Sequence, residues 1–186
     1  MCTDGPRRPK KGAYPLWISP ETKTNEYELD ELYWFIGKRK GFENGINTYI
    51  MTMLSRDPRQ IIGFSVDNHI NAKAIQEIVD NAPQAAVYHT DGGPSYLGVD
   101  FIGCHNRNVK DKSDTHNIES SNADIRHYIA GLQRKSRCFF RKAETLEAVL
   151  SIFIYAFNRF GAAKQEYRKR HPGCGRDFPF NHLHYL

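Results

Sequence analysis

The first long apolar segment of the chain reads EYELDELYWFI and runs from Glu26 to Ile36. Its aromatic and aliphatic residues are typical of a β-strand, and we predict the first strand here. Asp30 lies in the middle of this strand, between Glu28 and Glu31. A single Asp in a strand is more often an exposed residue than a functional one, so its role depends on which other residues come close to it.

The two segments that follow predict an antiparallel meander. They are Ile46–Leu54 and Ile61–Val66, preceded by turn signals at Asn44-Gly45 and Asp57-Pro58. Short turns between successive strands favour antiparallel pairing.

The pattern then changes to helix and strand in alternation. We predict a helix capped by Asn71 and ending near Asn81, a short buried strand over Ala85–Tyr88, and a further short strand over Val99–Ile102. Asp91 comes just after the fourth strand, where the turn Thr90-Asp91-Gly92-Gly93-Pro94 ends it.

Two helices complete the domain. The first begins near Asn117 and is indicated by the spacing of Ile118, Ile125, Ile129 and Leu132, and the second covers Ala143–Phe160. We therefore predict an α/β protein with the element order of an RNase H-like fold: three antiparallel strands, a helix, further parallel strands and flanking helices.

Composition limits the class of protein. Hydrophobic residues make up 40% and charged residues 25% of the 186 residues, a balance that excludes disordered and fibrous chains. No apolar run approaches the roughly 20 residues of a membrane span, and no signal peptide is recognisable, so we predict a cytoplasmic protein. The net charge of +5 weakly favours a nucleic-acid partner.

We divide the chain into three parts by composition. Residues 1–24 are a basic, proline-rich linker, residues 25–161 form the folded domain, and residues 162–186 are a basic and aromatic tail. The four cysteines contain no Cys-x-x-Cys pair, which excludes a zinc ribbon and favours reduced thiols.

Three carboxylates from separate elements can converge in such a fold. Asp30 lies in the first strand, Asp91 follows the fourth, and Glu119 lies on the helix that begins near Asn117. Carboxylate oxygens are the ligands that Mg²⁺ prefers, and two ions roughly 3.5–4 Å apart support phosphodiester chemistry without a protein nucleophile.

Two other acids are rivals for this role. We interpret Asp114 as a capping or turn residue before the helix. Glu31 is expected to point to the opposite face of the strand from Asp30, and therefore to stay out of the cluster unless the strand contains a bulge.

Three motifs in this order resemble the DDE transposases of the insertion sequence one type, whose catalytic domain has an RNase H-like fold. They are Leu29-Asp30-Glu31-Leu32-Tyr33-Trp34-Phe35-Ile36-Gly37, Tyr88-His89-Thr90-Asp91-Gly92 and His116-Asn117-Ile118-Glu119-Ser120-Ser121-Asn122, followed by Arg126, Leu132-Gln133-Arg134-Lys135-Ser136, Phe139 and Asn158. The resemblance covers about residues 26–160.

The resemblance implies catalytic and metal-binding roles for Asp30, Asp91 and Glu119. The implied cofactors are two Mg²⁺ ions, for which Mn²⁺ substitutes. The implied activity is cleavage of DNA at the ends of an insertion sequence and transfer of the freed strands to target DNA, so the chain would act in DNA transposition and recombination by a mobile element.

The same resemblance implies the partners. They are the DNA of the element ends and of the target, further copies of the chain assembled on that DNA, and a DNA-binding protein that is encoded in an upstream reading frame or fused to this chain. We expect no membrane partner and a location on the nucleoid within the cytoplasm.

Basic residues near the third motif are candidates for DNA contact. We interpret Arg126, Arg134, Lys135 and Arg137 as phosphate contacts beside the active site, with a solvated basic face as the alternative. His116 and Asn117 either position a phosphate or cap the helix, and Asn122, from the same motif, is also a DNA-binding candidate.

Two other functions stay open at the level of the sequence. The first is a non-catalytic, DNA-binding transposase remnant. The second is an RNase H-like nuclease that cuts RNA–DNA hybrids or junctions.

Overall fold

The structure, a computed structural model, describes residues 25–37, 45–108, 112–133 and 139–160. The predicted linker over residues 1–24 and the predicted tail over 162–186 lie outside the described residues.

The described residues form five strands, three α-helices and three short 3-10 turns. The strands are β1 (Glu26–Gly37), β2 (Gly45–Ser55), β3 (Gln60–Asp67), β4 (Val87–Thr90) and β5 (Cys104–Arg107). The α-helices are α1 (Ala72–Asp80), α2 (His116–Tyr128) and α3 (Ala143–Phe160). The 3-10 turns are Pro94–Gly98, Lys112–Thr115 and Ala130–Leu132.

All five strands belong to one mixed sheet in the order β3-β2-β1-β4-β5. β1 pairs antiparallel with β2, and β2 pairs antiparallel with β3. β4 pairs parallel with β1, and β5 pairs parallel with β4. The predicted α/β class and the antiparallel meander of the first three strands are therefore confirmed, and β1 occupies the centre of the sheet.

Helices cover both faces of this sheet. Because side chains alternate along a strand, Tyr27 and Leu29 of β1 pack into a core with α1 on one face. Leu32, Trp34 and Ile36 pack into a second core with α2 and α3 on the other. The even-numbered residues Leu32, Trp34 and Ile36 therefore face α2 and α3, whereas Tyr27 and Leu29 face α1.

The N-terminus of α1 is formed as predicted. The side chain of Asn71 accepts a hydrogen bond from the backbone N–H of Ala74 at 2.8 Å, so it is the N-cap. The helix packs directly on β3, because a Cβ placed on Gly63 would lie 2.5 Å from Cγ2 of Ile78.

The closing helix α3 has the predicted bounds and is fastened to β3 by one side chain. Asn158 accepts a hydrogen bond from the N–H of Ile61 at 2.9 Å and donates one to the carbonyl of Ile61 at 2.7 Å. These bonds lie beside a shift in the β2–β3 register between Met53 and Leu54, where the ladder is irregular.

Two predicted strands were displaced. The fourth strand is Val87–Thr90 rather than Ala85–Tyr88, although Asp91 still follows its last residue. The fifth strand is Cys104–Arg107, and the prediction of a strand over Val99–Ile102 was wrong. Part of that apolar run packs against the core beside α1 from a loop, which explains its composition.

The helix predicted from the spacing of Ile118, Ile125, Ile129 and Leu132 is shorter than expected. α2 ends at Tyr128, while Ile129 is its C-cap and Leu132 closes a 3-10 turn. All four residues are nevertheless buried in the same core, so the spacing correctly indicated burial beyond the end of the helix.

None of the helices in the described part of the chain has both the length and the apolar composition that crossing a bilayer requires.

Candidate metal centre

The candidate site lies where β1 runs past the end of its parallel neighbour. β4 ends at Thr90, which pairs with Leu29, whereas β1 continues to Gly37. On the other side β1 stays paired with β2 from Tyr27 to Gly37. Among the described strands, none pairs with β1 on the β4 side beyond Leu29, so this edge is open.

Three carboxylates meet at the open edge. One oxygen from each of Asp30, Glu31 and Asp91 lies within 4.8 Å of the others, and we call these three residues the carboxylate cluster. Asp30 and Asp91 were expected to converge here. The expectation that Glu31 points away was wrong, and no bulge is needed to bring it in, since the β1–β2 register runs without a shift through this region.

The open edge explains how neighbours on opposite faces of a strand can meet. Asp30 and Glu31 both lie beyond Leu29, the last residue of β1 that pairs with β4. The alternation of side chains still holds for Cβ atoms, but longer side chains can cross an edge that no strand covers.

The turn after β4 holds Asp91 in position. Oδ1 of Asp91 accepts a hydrogen bond from the N–H of Gly93 at 2.9 Å, which closes an Asx turn. Gly92 between them has a φ of 88°, a conformation that residues with a Cβ rarely adopt. Nε of Arg107 in β5 donates to the carbonyl of Gly92 at 2.9 Å and fixes the turn from the neighbouring strand.

A buried hydrogen-bond relay orients Asp30. Oγ1 of Thr52 in β2 donates to Oδ1 of Asn122 at 3.1 Å, and Nδ2 of Asn122 donates to Oδ2 of Asp30 at 2.9 Å. Thr52 and Asn122 are both buried. Since the amide can accept from the hydroxyl only through its oxygen, the relay leaves the NH₂ group to face the carboxylate.

A second buried acid attaches the start of α2 to the sheet. The carboxylate of Glu28, which has no exposed surface, accepts hydrogen bonds from Nε of Arg56 at 2.7 Å, Nδ2 of Asn117 at 2.8 Å and the N–H of Ile118 at 2.9 Å. An anion at a helix N-terminus satisfies N–H groups that lack a helical partner. Glu28 therefore fixes the position of α2, and with it the residues that α2 directs toward the carboxylate cluster.

Glu119 lies beside the carboxylate cluster rather than inside it. It is exposed on α2, lines the same open cleft of about 500 Å³ as the cluster, and its charge acts on Asp30. The cleft is also lined by Tyr33, Tyr49, Ile70, Asn122 and Arg126.

Because the carboxylate cluster is partly buried, negative charge that no cation balances is energetically unfavourable there. It raises the pKa of Asp30, although the hydrogen bonds from Asn122 and from the Glu31 N–H act in the opposite direction. It raises the pKa of Glu31 to about 7, against a hydrogen bond from the Tyr96 hydroxyl, and the charges of Asp91 and Asp30 add to the increase. Protonation or a bound cation would relieve this repulsion.

The donor set suits a hard divalent cation. Asp30, Glu31 and Asp91 could together hold a metal ion, and all three offer oxygen, the ligand type of Mg²⁺, Mn²⁺ and Ca²⁺. Metal–oxygen distances of about 2.0–2.6 Å put opposite ligands about 4–5 Å apart, which matches the spacing of the three oxygens.

The predicted DNA-binding residues have different surroundings. Arg126 lines the cleft and His116 is exposed, whereas Asn117 is held by Glu28 and Asn122 by Asp30 and Thr52. The other three, Arg134, Lys135 and Arg137, lie outside the described residues.

Asp114 is in a turn, as expected, but it does not cap α2. It lies in the 3-10 turn before the helix, and Thr115 occupies the N-cap position, although its side chain makes no capping hydrogen bond to the helix. The carboxylate of Asp114 instead accepts hydrogen bonds from the side chains of Asn106 and Asn108 and so fastens the end of β5.

Sequence reasoning missed Glu28 and Glu31 as parts of the site. A signal was present for Glu28, since it shares the strand face of Asp30 and is a charged residue at a position that alternation places inside. For Glu31 the signal was the brevity of the fourth strand, which leaves the edge of β1 open.

Comparison with protein-family models and with curated proteins gives no match to this chain.

Proposed function

We propose that this chain is the catalytic domain of a DDE-type transposase, which cuts DNA at the ends of an insertion sequence and transfers the strands to target DNA. The observation that carries the proposal is the cleft in which Asp30, Glu31 and Asp91 meet and which Glu119 also lines. Four carboxylates in one open cleft are an arrangement that suits divalent-cation chemistry on a polyanion.

The sheet supports an RNase H-like fold for this domain. Three antiparallel strands are followed by two parallel ones, with β1 central and helices on both faces. The carboxylate cluster lies at the carboxyl end of β4 and beside the middle of β1. Ligands of open α/β sheets bind beyond the carboxyl ends of strands, so the cluster has the expected location for a site.

We propose Mg²⁺ as the cofactor, with Mn²⁺ as a substitute and two ions in the working enzyme. Asp30, Glu31 and Asp91 would hold one ion, and Glu119, which also lines the cleft, is the candidate ligand for a second. Bound ions of this kind lower the pKa of an attacking water or 3′-hydroxyl and stabilise the leaving oxygen.

Other residues of the chain would orient the metal ligands and supply a positive charge for the DNA backbone. Asn122 fixes Asp30, and the turn through Gly93 fixes Asp91, so two ligands are set before any ion binds. Arg126 is a cation on the cleft wall and would attract a backbone phosphate toward the carboxylates.

The partners in this proposal are the element ends, the target DNA, and further copies of the chain on that DNA. A DNA-binding protein from an upstream reading frame, or a fusion to it, would supply recognition of the ends. The chain would then work on the nucleoid.

The test is a strand-transfer assay. Purified protein would be incubated with Mn²⁺, labelled DNA that flanks its reading frame on both sides, and a supercoiled target plasmid. We expect nicked and joined products from the wild type and at least a hundredfold less from Asp91→Asn, because the amide is a far weaker ligand for a divalent cation.

The matched control is Asp100→Asn, which makes the same change at an exposed residue outside the cleft. Equal product from the wild type and from Asp91→Asn would refute the proposal. DNA binding without any metal-dependent nicking would favour the non-catalytic remnant. Cleavage of an RNA–DNA hybrid, with no reaction on duplex ends, would favour the RNase H-like nuclease.

A further inference from the structure

Two tyrosines lie side by side next to the carboxylate cluster. Tyr33 of β1 and Tyr49 of β2 are directly paired in the antiparallel register, and their ring centroids lie 5.5 Å apart. Tyr33 is two residues beyond Glu31, so both side chains start on the same face of the strand. Both tyrosines line the cleft that contains the cluster.

Tyr33 is held in place yet exposed. Its hydroxyl donates a hydrogen bond to Oδ1 of Asn47 at 3.0 Å, while 41% of the residue is accessible to solvent. Ile70, itself 36% exposed, lines the same cleft from the loop before α1. We call Tyr33, Tyr49 and Ile70 the aromatic wall of the cleft.

The cleft is lined by charged and by uncharged residues. The charged ones are Asp30, Glu31, Asp91, Glu119 and Arg126, and the aromatic wall carries no charge. A phosphate of DNA is attracted to a cation or to bound metal, and is repelled by bare carboxylates. The aromatic wall therefore suits the part of a nucleotide that is neutral and flat, which is the base.

We propose that the aromatic wall binds an unpaired nucleobase next to the phosphate that occupies the carboxylate cluster, with Tyr33 as the principal stacking residue. This deepens the proposed function and rests on it, since it names single-stranded or locally opened DNA as the preferred substrate. Bases in a duplex are stacked on each other and cannot present a face to Tyr33, whereas an unpaired base can.

The test is a binding measurement that needs no cleavage. A labelled single strand of about ten nucleotides with 2-aminopurine at its centre, and the matching duplex, would be titrated with the full chain. Ca²⁺ would be present because it takes the same oxygen ligands. Stacking on tyrosine quenches 2-aminopurine fluorescence. This fluorescence therefore reports stacking, while the label on the strand reports affinity.

We expect tighter binding of the single strand than of the duplex, with quenching in the wild type. Tyr33→Ala is expected to weaken single-strand binding roughly 5- to 100-fold and to remove the quenching. Tyr33→Phe keeps the ring and is expected to retain both. Duplex binding should change less than about twofold in either variant, because a paired base cannot reach the ring.

Tyr155→Ala is the matched control, since Tyr155 is an equally exposed tyrosine, 44% accessible, on α3 and outside the lining of the cleft. The proposal is overturned if Tyr33→Ala binds the single strand as tightly as the wild type, or if Tyr155→Ala loses as much. It is also overturned if the wild type gives no quenching. Quenching that depends on Tyr33, without strand transfer by the wild type, would refute the catalytic proposal and leave the aromatic wall supported.

Discussion

Replacing Glu31 with Gln is expected to stabilise the folded chain above neutral pH. Burial raises the pKa of Glu31 from 4.5 to about 7 in the folded chain. Between these two values the folded chain binds more protons than the unfolded chain. The free energy of unfolding therefore falls as the pH rises through this window, and the whole penalty is present above about pH 7.

The size of the penalty follows from the shift. One pKa unit corresponds to about 1.36 kcal/mol, so a rise from 4.5 to about 7 amounts to about 3 kcal/mol as an upper bound. Part of the rise comes from the charges of Asp30 and Asp91, which adjust when Glu31 is replaced. We expect Glu31→Gln to gain about 1–3 kcal/mol over the wild type at about pH 8, and little at about pH 5.

The assay is equilibrium unfolding in urea at these two pH values, followed by circular dichroism. The difference between wild type and variant reports on Glu31 and its coupling to Asp30 and Asp91, because the remaining titrating groups are common to both. Glu77→Gln, at an exposed position of α1, is the matched control. Mg²⁺ added at about pH 8, at a hundredfold excess over the Kd of the wild type, should stabilise the wild type by about 2.7 kcal/mol and Glu31→Gln by less.

Two results would refute this reasoning. If the wild type and Glu31→Gln differ by the same amount at both pH values, then Glu31 does not carry a raised pKa. If Mg²⁺ stabilises both proteins equally, then Glu31 is not a ligand.

Three further predictions concern the residues that support the cluster. Asn122→Ala removes the donor that orients Asp30 and is expected to weaken Mn²⁺ binding about 10- to 100-fold by calorimetry, and unchanged affinity would contradict the relay. Gly92→Ala places a Cβ at a φ of 88° and should cost about 1–2 kcal/mol of unfolding free energy in urea; a neutral effect would show that the turn tolerates a side chain. Glu28→Ala leaves Arg56 and the start of α2 without their buried anion and should cost about 3–5 kcal/mol, whereas a loss below about 1 kcal/mol would rule out an anchoring role.

Most of the elements were predictable because their apolar patterns are long. β1, β2, β3 and α3 each bury one face or more over eight residues or longer, so the periodicity is repeated several times. β5 reads Cys-His-Asn-Arg and is a four-residue edge strand. A short polar edge strand has too few buried positions to give a pattern, which is why the neighbouring apolar loop was predicted in its place.

The candidate site was less predictable than the fold. The positions of Asp30 and Asp91 follow from the strands that carry them. The inclusion of Glu31 does not follow in this way, because it depends on where the neighbouring strand β4 stops. The residues around Glu31 do not show which strand lies beside β1 or where that strand ends, so the signal from the short fourth strand could be used only once the pairing was known.

The pairing of β1 with β4 also bears on the order in which the protein folds. The meander of β1, β2 and β3 joins segments that are neighbours in the chain, whereas β1 meets β4 by aligning Glu26 with Val87. Closing so long a loop costs more chain entropy, so this contact should form after the meander. Asp91 joins Asp30 only when that contact is made. Capture of a divalent cation during refolding would thus report the docking of β4, and a kinetic experiment that follows it would time one defined step of assembly.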